Sequence, residues 1–191
     1  MGQRLNLEFT ASGKVLANAY YHWSGYTNSS VELMKQVLTS ETFKDKTISP
    51  IIKAVKLLEE TGAGINLTEE ENIKKSKLPK ELADYKFKDC ESRNEGILAV
   101  TEKGIKETQS WAEGAVRIDL ETNRILFTSL FEVNEEYYDE DEIEEIKTKA
   151  IDLPYNLFDM SIDEALEFAK LVEEHIWNYK NNNGIYYSAI Y

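Results

Sequence analysis

The fold is first indicated by residues 5–23, which read LNLEFTASGKVLANAYYHW. Apolar and polar residues alternate from Leu5 to Phe9, and Ser12-Gly13 separates this stretch from a second apolar run. A period of two is typical of a strand with one buried face, and two such strands around a short turn predict a β-hairpin. Because hairpin strands run antiparallel, this opening predicts antiparallel pairing in the sheet.

A second hairpin is predicted over residues 115–133, where Thr122-Asn123 supplies the turn between two alternating stretches. One further strand is expected at 97–100. The apolar tail at 185–191 is expected to add to a sheet, since an unpaired aromatic end would favour aggregation.

Helices are predicted where apolar residues recur three and four positions apart after a capping residue. Two shorter helical segments are also expected, at 68–76 and 141–150. The longer helices are expected to start near Asn28-Ser29-Ser30, at Ser49-Pro50, at Thr101 and at Ser161, and the last of them to run to about Tyr179.

Hairpins combined with helices in blocks predict an α+β fold. We expect a single layered domain over residues 1–191, with an antiparallel or mixed sheet of about six strands and helices packed on it. An α-β-β-α stack is one arrangement that fits this pattern. The lysine- and glutamate-rich residues 66–92 are expected to form a polar surface excursion, and Gly104 should weaken its helix by about 1 kcal/mol relative to alanine.

Length and composition exclude several classes of protein. The chain has 191 residues, which suits one domain, and a single cysteine, Cys90, so no intramolecular disulfide can form. This cysteine usage predicts a cytoplasmic location. No apolar run approaches the roughly 20 residues that a membrane span needs. A net charge of −13 argues against direct binding to nucleic acid or to an anionic membrane.

The negative charge is concentrated in the last third of the chain. Residues 1–131 hold 18 basic and 19 acidic residues, whereas residues 132–191 hold 4 and 16. Within the acidic segment 132–145 there are nine carboxylates and no basic residue. A one-sided charge of this kind influences which molecules a protein meets rather than how it folds.

This acidic segment is the candidate partner-binding site. Carboxylates interleaved with tyrosines can imitate the phosphates and bases of a nucleic acid, so the expected partner is a host protein with a basic surface. A solvated acidic loop without a binding role is the alternative. The candidate residues are Glu135, Glu136, Tyr137, Tyr138, Asp139, Glu140, Asp141 and Glu142.

A second candidate site is aromatic. Tyr20, Trp23 and Tyr26 lie close together at the predicted end of a strand, where they could form the rim of a pocket. Packing of these rings in the core is the alternative. A ligand at this rim would make the protein a small-molecule-binding, sponge-like protein.

Catalytic and cofactor motifs are not expected. The glycine pair Gly62/Gly64 follows a predicted helix, where a C-cap is favoured over a phosphate loop. No metal-ligand spacing links His22, His175 and Cys90, so neither a metal nor a cofactor is predicted. Carboxylates on both sides of Cys90 disfavour its thiolate. A hydrolase with an internal nucleophile, Cys90 or a serine, stays an alternative.

Two resemblances add context. The opening MGQRLN, the segment 17–27 (ANAYYHWSGYT) and residues 93–96 (RNEG) are similar to a family of small proteins of phages and prophages of Gram-positive bacteria. That resemblance implies a setting, interference with a host system, and no particular chemistry.

The hairpin-then-helix opening, the segment 93–98 and the later hairpin also resemble N-terminal-nucleophile hydrolases, which stack α-β-β-α layers. Those enzymes use a freed N-terminal Cys, Ser or Thr as nucleophile and base. Here the second residue is Gly2, and none of the three types occurs before Thr10. This resemblance implies the fold without its catalytic residue.

The sequence therefore predicts a non-enzymatic acidic interaction protein. Its hypothetical role is a phage-encoded inhibitor of a host defence or nucleic-acid-binding protein that acts by charge occlusion. The two alternatives are the small-molecule-binding protein and the hydrolase described above.

Overall fold

The computed structural model describes residues 3–90, 96–128, 131–132, 139–174, 178–181 and 184–187. Within these ranges the strands are β1 (Leu5–Ala11), β2 (Lys14–Tyr21), β3 (Ala63–Gly64), β4 (Gly96–Ala99), β5 (Gly114–Asp119), β6 (Ile125–Phe127), β7 (Phe131–Glu132), β8 (Ile151–Asp152), β9 (Asn178–Asn181) and β10 (Gly184–Tyr187). The helices are α1 (Thr27–Thr39), α2 (Glu41–Lys44), α3 (Pro50–Glu60), α4 (Leu67–Lys75), α5 (Glu102–Trp111), α6 (Glu140–Lys149) and α7 (Ile162–Glu173).

The predicted opening hairpin lies in the middle of a six-stranded sheet with the order β3-β4-β2-β1-β5-β6. Strand β1 pairs antiparallel with β2 and parallel with β5, and β3 pairs parallel with β4. The sheet is therefore mixed, and the predicted α+β class, with a mixed sheet of six strands in one domain, is confirmed.

Both faces of β1 are buried, which is typical of a strand in the interior of a sheet covered on two sides. Leu5, Leu7 and Phe9 point into the hydrophobic core, together with residues of α1, α3 and α7. The alternate residues of β1 face the opposite side. There Asn6 donates a hydrogen bond to the carbonyl of Thr108 in α5. Helices thus cover both faces of one sheet, whereas an α-β-β-α stack has helices on one face of each sheet.

The C-terminal helix is shorter than predicted. Helix α7 begins after the capping box of Ser161 and Glu164 as expected, but it ends at Glu173 rather than near Tyr179. Tyr179 instead belongs to β9, where its fully buried ring contacts Phe168 in an edge-to-face arrangement at 5.1 Å. Burial of this ring and pairing of β9 with β10 outweigh continuation of the helix through asparagines, which are weak helix formers.

The predicted starts of the longer helices are met at three of four positions. Ser49 precedes Pro50 at the first turn of α3, Thr101 caps α5, and Ser161 caps α7. Helix α1 begins earlier than predicted, at Thr27, because the Ser30 hydroxyl is used inside the first turn. It donates to the carbonyl oxygens of Ser24 and Tyr26 and does not cap the helix.

The described residues of the expected polar excursion at 66–92 pack against the rest of the fold. It contains α4 and a short 3₁₀ turn at Lys80–Leu82, and three of its side chains are buried, those of Glu69, Asn72 and Leu82. No helix within the described ranges combines the length and the apolar character needed to cross a bilayer.

Candidate interaction site

The described part of the acidic segment forms helix α6. Asp139 is the N-cap: its Oδ1 accepts a hydrogen bond from the Glu142 amide at 2.9 Å, and Glu142 Oε2 accepts one from the Asp139 amide at 3.2 Å. This capping box satisfies two otherwise unpaired amides. Carboxylates in the first turn also interact favourably with the positive end of the helix dipole. The acidic sequence therefore folds as a helix here and not as a loop.

Helix α6 exposes its charge almost completely. None of its ten residues is buried, and only Ile143 and Ile146 are partly covered. Asp139 and α6 together carry six carboxylates and two lysines. The Lys149 ammonium donates a hydrogen bond to the Glu145 carboxylate and lowers the pKa of that group. The first two turns of α6 contain carboxylates and no basic side chain, so they form a block of negative charge.

The four-stranded sheet, ordered β7-β10-β9-β8, contains the first residue of the acidic segment, in β7, and the two residues that follow the C-cap of α6, in β8. The chain leaves this sheet at β7 on one edge and returns at β8 on the other edge, so the residues between them link opposite edges. Helix α6 contacts this sheet at β9. The helix is thus fixed at its C-terminal end to β8 while its acidic face stays accessible.

Half of the predicted partner-binding residues belong to this helix or cap it. Asp139, Glu140, Asp141 and Glu142 lie side by side in the capping turn, and all are exposed. The other four, at 135–138 (Glu135, Glu136, Tyr137 and Tyr138), lie outside the described residues. The partner-binding role of all eight stays a prediction.

The three aromatic residues proposed as a pocket rim lie in different environments. Tyr20 is buried, with its ring edge-to-face on Trp111 at 5.4 Å and its hydroxyl 3.0 Å from His22 Nδ1. Burial raises the pKa of this phenol. Trp23 is 55% exposed, whereas Tyr26 is half-buried at the N-cap of α1. Of the three, Trp23 has the surface that a ligand could contact most readily.

Of the residues weighed for catalysis, Cys90 and His22 lie in two separate connecting segments, and His175 lies outside the described residues. Cys90 is half-buried and its amide donates to the Ile65 carbonyl next to β3. His22 is exposed at the end of β2, next to Trp23. Over the ranges that the structure describes, no group of three or more His, Cys, Asp or Glu side chains is arranged to hold a metal ion.

Sequence reasoning missed a buried polar cluster on the sheet. The Glu8 carboxylate, on the central strand β1, accepts hydrogen bonds from Arg117 Nε at 2.8 Å and Gln109 Nε2 at 2.7 Å. Glu8 is 2% exposed, so the carboxylate of the Glu8–Arg117 ion pair is shielded from water. The alternating pattern of β1 suggested a solvent face for Glu8, and no local signal indicates that α5 covers it.

Comparison of the chain with models of protein families, with curated proteins and with solved structures gave no match. The two resemblances stated from the sequence accordingly stay predictions.

Proposed function

We propose that this protein is a non-enzymatic interaction protein that binds a basic surface of another protein through the acidic face of α6. The observation that carries the proposal is the exposure of all six carboxylates of α6 and its cap, in a helix with no fully buried residue. Since no residue of this helix is fully buried, its carboxylates make little contribution to packing, and their exposure favours a role in contacting a partner.

Charge complementarity explains how such a face would act. A fixed cluster of like charges accelerates encounter with a groove of opposite charge and orients the partner. A groove lined by lysine and arginine that normally holds nucleic acid would be occupied by the carboxylates of α6. In the setting that the phage resemblance implies, the partner is a host defence or nucleic-acid-binding protein and the outcome is inhibition by charge occlusion.

The test compares two variants that change net charge equally. The first, Glu140→Gln/Asp141→Asn/Glu144→Gln, removes three charges from α6 and keeps the Asp139–Glu142 capping box. The second, Glu32→Gln/Glu81→Gln/Asp84→Asn, removes three exposed carboxylates elsewhere on the fold. Each immobilised protein is incubated with a bacterial lysate at low and at high salt, and the captured proteins are identified by mass spectrometry.

The proposal expects a basic nucleic-acid-binding protein that the parent and the second variant capture at low salt and release at high salt. The first variant should lose it. Nucleic acid added to the lysate should compete with capture. If the two variants capture the same proteins as the parent, α6 is not the binding surface and charge occlusion is wrong.

A further inference from the structure

A cleft of about 760 Å³ opens where five parts of the fold meet: the ends of α1 and α2, the start of α3, the β5–β6 turn and the first turns of α7. Its volume is typical of sites for small organic molecules. The apolar part of its lining consists of Leu38, Phe43, Ile48, Leu120, Ile162 and Leu166. These side chains come from five separate segments, so no single stretch of sequence predicts the cleft.

The walls of the cleft are held in place by defined contacts. Lys53 Nζ in α3 donates to the carbonyl of Phe43 at 3.0 Å and ties α2 to α3. In the β5–β6 turn, Asp119 Oδ1 accepts from the amides of Glu121 and Thr122 at 3.0 and 2.8 Å. Asn123 completes this turn with a φ of 55°. A site with fixed walls loses little conformational entropy when it binds a ligand.

The charge around the cleft is opposite to that of the whole protein. Lys44, Lys46 and Lys53 line it in a chain whose net charge is −13. Lys44 is paired with Glu41 at 2.9 Å, whereas Lys46 is exposed and has no carboxylate partner in the described part of the chain.

Two carboxylates near these lysines, Glu121 and Asp45, accept hydrogen bonds from other side chains and amides. Both oxygens of Glu121 accept hydrogen bonds from Ser12, from its amide and its hydroxyl, each at 2.7 Å. Asp45 Oδ1 accepts from the amide and hydroxyl of Thr47. These hydrogen bonds fix the two carboxylates in place but do not remove their charges. Three lysines and one carboxylate, Glu121, line the cleft, so its lining has an excess of positive charge over an apolar floor.

We infer that this cleft binds a small organic anion with an apolar body. The apolar floor takes the body of the ligand and excludes water from it, while the Lys46 ammonium pairs with the anionic group at the rim. Uncharged molecules of the same shape lack the second contribution and bind more weakly. This binding site is separate from the acidic face of α6 and does not depend on the function proposed for that face.

The probe is anilinonaphthalene sulfonate, a fluorescent aromatic anion, and its uncharged analogue is N-phenylnaphthylamine, which has the same aromatic body without the sulfonate. Both are titrated into the full chain, its Lys46→Glu variant and its Lys86→Glu variant. Lys86 is exposed in the loop that follows the 3₁₀ turn at Lys80–Leu82 and does not line the cleft, so the second variant has the same net charge with an unaltered cleft. Circular dichroism verifies that all three proteins are folded.

The inference expects saturable binding of one anionic probe per chain. Lys46→Glu should raise its dissociation constant about tenfold, as expected for reversing one charge close to a partly exposed anion. Lys86→Glu should leave the constant within about twofold of the parent value, since separated surface charges are screened. The uncharged analogue should bind more weakly than the sulfonate and should be insensitive to Lys46→Glu.

Three results would overturn the inference: equal weakening by the two variants, equal affinity of the charged and uncharged probes, or binding that does not saturate. Self-association of the parent that disappears in Lys46→Glu would also overturn it, because a second copy of the chain would then occupy the cleft. Sedimentation of both proteins at the concentrations of the titration distinguishes that case.

Discussion

Helices α4 and α6 share a local sequence pattern and differ in their relation to the rest of the molecule. Each follows a side-chain N-cap, Asn66 in one and Asp139 in the other, and each has acidic residues in its first turn and lysines in its last. Helix α4 nevertheless buries Glu69 and Asn72, whereas α6 buries nothing. The local pattern thus decides that a helix forms but does not decide whether it is anchored.

The anchor of α4 is the carboxylate of Glu69 at the N-terminus of α5. Glu69 Oε1 accepts from the amides of Val100 and Thr101 at 2.8 and 2.7 Å, and Oε2 accepts from the Thr101 hydroxyl at 3.0 Å. These donors and the dipole of α5 compensate the charge of a side chain that is 3% exposed. An acidic residue can therefore be a structural element in one helix and a surface charge in the other.

Removing the anchoring carboxylate should give the largest effect. Glu69→Ala leaves buried donors at the start of α5 without an acceptor, and we expect a loss of about 3 kcal/mol in the free energy of unfolding. Its counterpart in the exposed helix, Glu144→Ala, should change that free energy by less than about 0.5 kcal/mol. Urea denaturation of both variants measures the difference. Similar losses in the two helices would show that α4 is not anchored as described.

For the substitution of Gly104 by alanine, the sequence and the structure predict stability changes of opposite sign. Helix propensity alone favours Gly104→Ala by about 1 kcal/mol. In the fold, a Cβ on Gly104 would lie 2.7 Å from the carboxyl carbon of Glu69, so the substitution should destabilise the protein by about 1–2 kcal/mol net.

The same substitution in a Glu69→Ala background tests the cause. Once the carboxylate is absent, Gly104→Ala should become stabilising, and the pair should show a coupling energy of about 2 kcal/mol in a double-mutant cycle. An unchanged sign of the Gly104→Ala effect in the two backgrounds would contradict the close approach of Gly104 and Glu69.

Loss of the N-cap of α4 should lower global stability, whereas loss of the N-cap of α6 should affect only that helix. Asn66 accepts a hydrogen bond from the Glu69 amide at 2.8 Å, so Asn66→Ala should lower the global free energy of unfolding by about 1 kcal/mol. Asp139→Ala removes an equivalent bond from α6, which buries no residue. It should leave global unfolding unchanged and speed amide exchange within α6 about fivefold. Hydrogen exchange followed by NMR distinguishes global unfolding from local opening of α6. A drop in global stability in Asp139→Ala would show that α6 contributes to the stability of the whole fold.

Acidification should give the smallest effect and should act on α6. The hydrogen bond from Lys149 lowers the pKa of Glu145 below its usual 4.5. A carboxylate with a depressed pKa in the folded state stabilises that state above the unfolded pKa, and this contribution is lost as the pH falls through the folded value. Helix content at residues 140–149, followed by Cα chemical shifts, should therefore decrease below about pH 4.5. The decrease should be smaller in Glu145→Gln, which has no charge to lose.

Some of the fold could be predicted because its signals are local. The opening hairpin, the Pro50 start of α3, the Thr101 cap and the Ser161 capping box each depend on residues within a few positions of one another. The end of α7 could not be predicted, since Tyr179 is placed in β9 by its contact with Phe168 and by pairing with β10.

The candidate sites divide along the same line. The charge of α6 is a property of composition and could be read directly, because a contiguous run of carboxylates is unfavourable to bury. The lysine-rimmed cleft could not be read, because its lining is drawn from α1, α2, α3, the β5–β6 turn and α7. The aromatic cluster around Tyr20 gave a mixed result: the stretch was recognised, but which ring is buried depends on the position of Trp111 in α5.

By itself, the sequence determined the class of the fold, most helix starts and the location of the negative charge, because each of these depends on neighbours along the chain. Only the tertiary structure decided that Glu8 and Glu69 are buried with partners, that α6 is exposed, and that a basic cleft exists in an acidic protein. Burial and electrostatic pairing depend on residues 30 to 110 positions apart, such as Glu69 with Thr101 and Glu8 with Arg117. The residues next to Glu8 and Glu69 in the sequence therefore do not indicate that these carboxylates are buried and paired.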